Sequence, residues 1–248
     1  MPPIAIGLLA GLISGSFGVG GGIVVVPGLV LLLHFTQRLS HGTSLLAIMP
    51  IATAGVVGFS LHGSINLEFA LFLGIGSILG AVMGTRLLHS VNNDWLARIF
   101  SFILLLTAIW LFVDIPVNSE ELDLTPASAL ILVAIGILVG GIAGLLGVGG
   151  GIILVPILVI FFGATAPIAK GTSLVVALIA GTVGSWRNYR NANVDIPIAL
   201  KIGLAGIPTA LIGAQLAIVM SDQVSTILFA LLLLATAVRL LQTTRKHD

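Results

Sequence analysis

Gly15-Ser16-Phe17-Gly18-Val19-Gly20-Gly21-Gly22-Ile23-Val24-Val25-Val26-Pro27 lies inside an apolar run spanning residues 4–35. A second such stretch, Gly144-Leu145-Leu146-Gly147-Val148-Gly149-Gly150-Gly151-Ile152-Ile153-Leu154-Val155-Pro156, lies inside the run 127–163. A glycine in a helix interior costs about 1 kcal/mol relative to alanine. Each stretch packs four glycines into five positions, 18–22 and 147–151, so a helix is expected to break at both. New half-helices are expected from Ile23 and Ile152.

The two stretches are 129 residues apart. With that offset and no gap, Gly7 aligns with Gly136, Pro27 with Pro156 and Gly84 with Gly213. Gly42-Thr43-Ser44-Leu45 aligns with Gly171-Thr172-Ser173-Leu174. Thr53, Gly55, Gly74, Leu87 and Phe100 align with Thr182, Gly184, Gly203, Leu216 and Phe229. The chain therefore reads as two repeats, 1–113 and 127–248, joined by a polar linker, 114–126.

Composition says where such repeats live. Hydrophobic residues make up 58% and charged residues 8% of the chain, with a mean hydropathy of +1.22. A soluble domain carries about 25% charged residues to face water on every side. Lipid is the solvent that removes that demand, and the expected fold is an all-α integral membrane protein. A net charge of +1 points to no nucleic-acid partner. Having no cysteine, the chain has no disulfide, thiolate metal site or cysteine nucleophile. Its start is apolar at once, and is read as a structural segment rather than a removed signal peptide.

The remaining apolar runs, 43–61, 67–88, 95–113, 172–186, 196–219 and 223–241, are mostly near the span of a bilayer. Cytoplasmic loops collect Lys and Arg. If each glycine-broken run enters and returns as a hairpin, Arg38, Arg86, Arg98, Arg187, Arg190, Arg239, Arg245 and Lys246 fall on one side. The linker, with Glu120, Glu121 and Asp123, then falls on the other, and only Lys170 is misplaced. A single crossing by each run instead puts Arg187, Arg190, Arg239, Arg245 and Lys246 outside. It also needs a helix of about 32 residues, roughly 48 Å, across a core of about 30 Å. The hairpin arrangement is preferred. It gives each repeat a re-entrant hairpin plus three transmembrane helices, makes the repeats inverted, and leaves both termini cytoplasmic. Inverted repeats with broken helices are a transporter architecture.

Such a break frees backbone N–H and C=O groups that only protein, water or ligand can pair. The half-helix beginning after it offers unpaired N–H donors and a partial positive charge, which suit an anion. Gly18, Gly20, Gly21 and Gly22, with Gly147, Gly149, Gly150 and Gly151, are therefore candidate substrate-binding residues; the plainer reading is a tight turn. Thr43, Ser44, Thr172 and Ser173 join them as hydroxyl donors, or act as helix caps at the start of an apolar run. No Asp or Glu lies deep in a span. Lys201 reads as snorkelling to an interface, Arg86 as a positive-inside anchor, His41 and His62 as loop or span-end residues, and Trp95 and Trp186 as interfacial anchors. With no GxxxxGK[ST] loop and no clustered acid, base or metal ligands, the chain does not read as an enzyme.

The two quoted stretches, with Gly42-Thr43-Ser44 and Gly171-Thr172-Ser173 after them, resemble the signature of the TauE/SafE sulfite exporter family, over the whole chain and in both repeats. The resemblance implies an inner-membrane carrier of bacteria or archaea that exports or takes up sulfite, sulfonates or related sulfur-containing anions. The expected function is secondary transport of a small anion by alternating access; an uncoupled anion channel or facilitator is the alternative. The expected partners are the anion and the lipid bilayer, with a coupling ion (H+ or Na+) and homo-oligomer formation left open. No cofactor is expected.

Overall fold

In lipid, helices gain little by hiding apolar side chains from a solvent that is itself apolar. They associate where small residues let two backbones approach. Glycine recurs at every fourth position near the start, Gly7, Gly11 and Gly15, and again at Gly136, Gly140 and Gly144. The computed structural model describes residues 2–90, 92–110 and 125–244, and there both stripes are contact surfaces.

The described residues form ten helices: α1 (Pro2–Phe17), α2 (Gly22–Leu33), α3 (Gln37–Ser60), α4 (Leu67–Ser90), α5 (Asn93–Trp110), α6 (Pro126–Leu146), α7 (Gly151–Phe162), α8 (Ala166–Arg190), α9 (Ile196–Val219) and α10 (Asp222–Thr244). The first stripe lies on α9, where a β-carbon at Gly11 would run into the carbonyl of Gly206. The second lies on α4, which returns Gly76, Gly80 and Gly84 to the same seam. The first helix of each half thus packs on the fourth helix of the other. Across the middle α3 meets α8, and α5 meets α10.

Both long apolar runs are broken at the glycines. The half-helices α2 and α7 begin at Gly22 and Gly151, one residue before the expected Ile23 and Ile152. Behind the first break α2 turns back along α1, with Gly21 against Ala10 and Gly28 against Ile6. The matching turn in the second half sets Gly150 against Val139. The helix α6 has 21 residues, roughly 32 Å at 1.5 Å per residue. Thr125 and Ser128 close a reciprocal capping box at its start, one residue ahead of the apolar run. The linker expected over 114–126 lies outside the described residues except for Thr125 and Pro126.

The Gly-Thr-Ser segments do not start helices, which corrects their reading as caps. Thr36 caps α3, accepting from the N–H of Leu39, and Thr165 holds the N-cap position of α8. Thr43 and Thr172 stand seven residues further on, inside α3 and α8.

Among the described residues five helices, α3, α4, α6, α8 and α9, are long and apolar enough to cross a membrane. Large apolar side chains face outward, among them Leu71, Phe102, Leu130 and Phe161, each more than half exposed. Soluble monomers rarely show apolar surface on this scale. Trp95 and Trp186 are 60% and 63% exposed, placing both on the outer face rather than in the core.

Candidate functional site

Three glycines in each break take the left-handed backbone conformation. Gly18, Gly20 and Gly21 have φ of 73°, 78° and 80°, and Gly147, Gly149 and Gly150 have 67°, 80° and 78°. Any other L-residue there costs roughly 1–2 kcal/mol. The same sequence thus folds into the same turn twice.

The two turns meet. A β-carbon on Gly22 would stand 2.5 Å from the Cα of Val148, and one on Gly151 would stand 2.8 Å from the Cα of Val19. The breaks therefore touch backbone to backbone, and Val19 and Val148 are buried between them. Above this contact α2 makes its first hydrogen bonds from Val24 and Val25 to the carbonyl of Gly21, and α7 from Ile153 and Leu154 to that of Gly150. The N–H groups of Gly22, Ile23, Gly151 and Ile152 precede those bonds, at the positive ends of two helices whose starts are brought together.

The carbonyls that end α1 and α6 pose the opposite problem, since bare acceptors in lipid are costly. Ser44 donates its hydroxyl to the carbonyl of Gly147 at 2.7 Å, and Ser173 donates to that of Gly18. His41 adds a bond from Nδ1 to the carbonyl of Leu146, which requires the proton on Nδ1. All three side chains are fully buried. The role of the serines is to close the end of the other half's broken helix.

The threonines do something different. Thr43 Oγ1 accepts from the N–H of Asp195 at 3.0 Å, and Thr172 Oγ1 from the N–H of Asn66 at 2.9 Å. Asp195 and Asn66 lie just ahead of α9 and α4, so these hydroxyls pin the loops that start those helices. Of the twelve residues singled out from sequence, the eight glycines and two serines converge on the crossing. Thr43 and Thr172 point to its periphery.

Two buried ionisable residues gave no signal in their types alone. His41 was expected in a loop or at a span end; it lies inside α3, fully buried against α6. Lys170 was the one cation on the wrong side; it is 3% exposed and donates from Nζ to Ser225 Oγ at 2.8 Å. The repeat offset pairs them, since each stands two residues before its Gly-Thr-Ser threonine. A helix C-terminus favours a nearby cation, and Lys170 lies against Gly18 at the end of α1. The sequence signal was that register, read across to positions that differ in residue type. Of the other singled-out residues, Lys201 and Arg86 are exposed, and His62 Nδ1 bonds the carbonyl of Gly58 in the turn after α3.

Comparison with known proteins places this geometry. The family described as "Sulfite exporter TauE/SafE" matches residues 3–164 and again 132–248. The two matches begin 129 residues apart, the repeat offset. Similar proteins are the probable membrane transporter protein YunE of Bacillus subtilis, 25% identical over 90% of this chain and 89% of that one, and YjnA of the same organism, 26% identical over 96% and 98%. A probable membrane transporter protein of the archaeon Methanocaldococcus jannaschii is 27% identical over 85% and 79%. No solved structure matches the chain.

Proposed function

The chain belongs to the TauE/SafE sulfite exporter family, and from that premise we propose that it is a secondary transporter of a small sulfur-containing anion, sulfite or a sulfonate. It works by alternating access around the crossing of the two glycine breaks. The observation that carries this reading is the contact of Gly22 with Val148 and of Gly151 with Val19. It sets two half-helix N-termini side by side in a buried centre. Neutral N–H donors at such a point bind an oxyanion without holding it too tightly to release.

In this reading the repeats, 1–113 and 127–248, are inverted. Each contributes a re-entrant hairpin and three crossings, in the inner membrane, with both termini cytoplasmic and the 114–126 linker outside. The exchange of partners, α1 on α9 and α6 on α4, is the packing expected when an in-plane two-fold axis relates the halves. The breaks are packed backbone to backbone, so substrate enters only when the halves move relative to one another. That favours a carrier over the uncoupled channel.

The test is flux into proteoliposomes holding the purified protein, with radiolabelled sulfite and a simple sulfonate. Accumulation above the external concentration when a proton or sodium gradient is imposed supports the carrier. Strictly downhill flux supports the channel, and no flux of either anion rejects the substrate class.

A further inference from the structure

Four residues at the end of α8, Trp186, Arg187, Arg190 and Asn191, line a cavity of about 330 Å³. Two guanidinium groups line it and no carboxylate does. Arg187 is half-buried, and its Nε donates to Thr85 Oγ1 of α4 at 2.8 Å. That bond fixes the guanidinium through its Nε and leaves the position of the group set by α4. A planar fork held this way matches two oxygens of an oxyanion, and less rotamer freedom is lost on binding. Arg190 follows three residues later, on the same helix face.

Basic residues in the last turn of a helix also offset its dipole, and a positive-inside bias collects them. Neither effect calls for an anchor on a neighbouring helix. The repeat provides an internal control. At the offset of 129, Trp186, Arg187, Arg190 and Asn191 correspond to Val57, Gly58, Leu61 and His62, and Thr85 corresponds to Ala214. The first half makes the same fold without the arginines or the anchoring hydroxyl, so the constellation is an addition to the fold.

We propose that this cavity is an oxyanion-binding site, taking a sulfonate, sulfite or phosphate group between Arg187 and Arg190. It is separate from the glycine crossing. Arg187 lies fourteen residues along α8 from Ser173, roughly 21 Å at 1.5 Å per residue. Two sources supply that chemistry: a free small anion held at the mouth of the carrier, or the headgroup of an anionic phospholipid beside the exposed Trp186 ring.

The experiment uses the full-length protein in phosphatidylcholine nanodiscs and reads thermal unfolding. One arm titrates methanesulfonate and inorganic phosphate; the other replaces part of the lipid with phosphatidylglycerol. The wild type is expected to be stabilised in one arm, which names the source. In that arm Arg187→Gln with Arg190→Gln weakens the response at least tenfold. Thr85→Val, which leaves the charge untouched, weakens it several-fold. Should the double variant fail to fold, Arg187→Lys keeps the charge and loses the fork, and is expected to weaken binding at an unchanged starting Tm. Wild type responding in neither arm, or variants titrating like wild type, overturns the proposal. Binding is read without flux, so failure here leaves the carrier reading standing, and loss of flux with binding intact leaves this one standing.

Discussion

Ser44 and Ser173 stand at equivalent positions of the two halves, and each donates its hydroxyl to the carbonyl that ends the broken helix of the opposite half. The pair ties the halves together at the point where both backbones are interrupted.

Replacing Ser44 or Ser173 with alanine strands a buried carbonyl, at a cost of roughly 1–3 kcal/mol each. Thermal unfolding in detergent is expected to show a lower Tm for either variant, with threonine at the same position restoring most of it. An unchanged Tm in both alanine variants would mean that these bonds contribute nothing to the fold.

Gly20 and Gly149 sit at φ of 78° and 80°, facing Ile48 and Ala177. Valine there meets both backbone strain and side-chain crowding. Gly20→Val and Gly149→Val are expected to abolish flux in proteoliposomes, and Gly20→Ala to reduce it less. Normal flux through both valine variants would remove the crossing from the transport path.

Lys170 keeps an ammonium in the core, where burial is costly even with Ser225 as partner. Lys170→Met fills similar volume without charge. The variant is expected to be at least as thermally stable as wild type and to lose transport. Full transport by Lys170→Met would make the lysine a packing residue. His41→Leu, its counterpart, is expected to lose stability instead, because it strands the carbonyl of Leu146, and His41→Asn to recover it.

In the proposed topology the linker lies outside. In this cysteine-free chain, a cysteine introduced at Glu120 is expected to react with an impermeant reagent from the external face. Reaction only from the cytoplasmic face would sink the inverted arrangement.

How far the sequence disclosed the site depended on how local the signal was. The glycine breaks were legible because glycine has one strong local effect, and the offset of 129 doubled it. The serines and threonines were found as a motif but given the wrong local task. Capping is a short-range reading, and here the first turns of α3 and α8 serve carbonyls more than a hundred residues away. His41 and Lys170 were hidden for a related reason: hydropathy places charged residues near span ends, while their burial is decided by where the opposite half's helix terminates. The start of α6 at Pro126, one residue ahead of the apolar run, is set by the capping box of Thr125 and Ser128.

The seam between α1 and α9 also sets an order of events during synthesis. The glycine stripe of α1 is made before its partner helix, which ends at Val219. At about 5–20 residues per second, roughly 10–40 s of translation separate them. Through that interval α1 lies in lipid or against the insertion machinery with its backbone-approach surface uncovered, while the mirror contact, α4 with α6, closes sooner because fewer residues separate those two helices in the chain. The second half therefore completes the first, and a nascent chain stopped before α9 leaves the ribosome with α1 unpartnered and open to quality-control proteases.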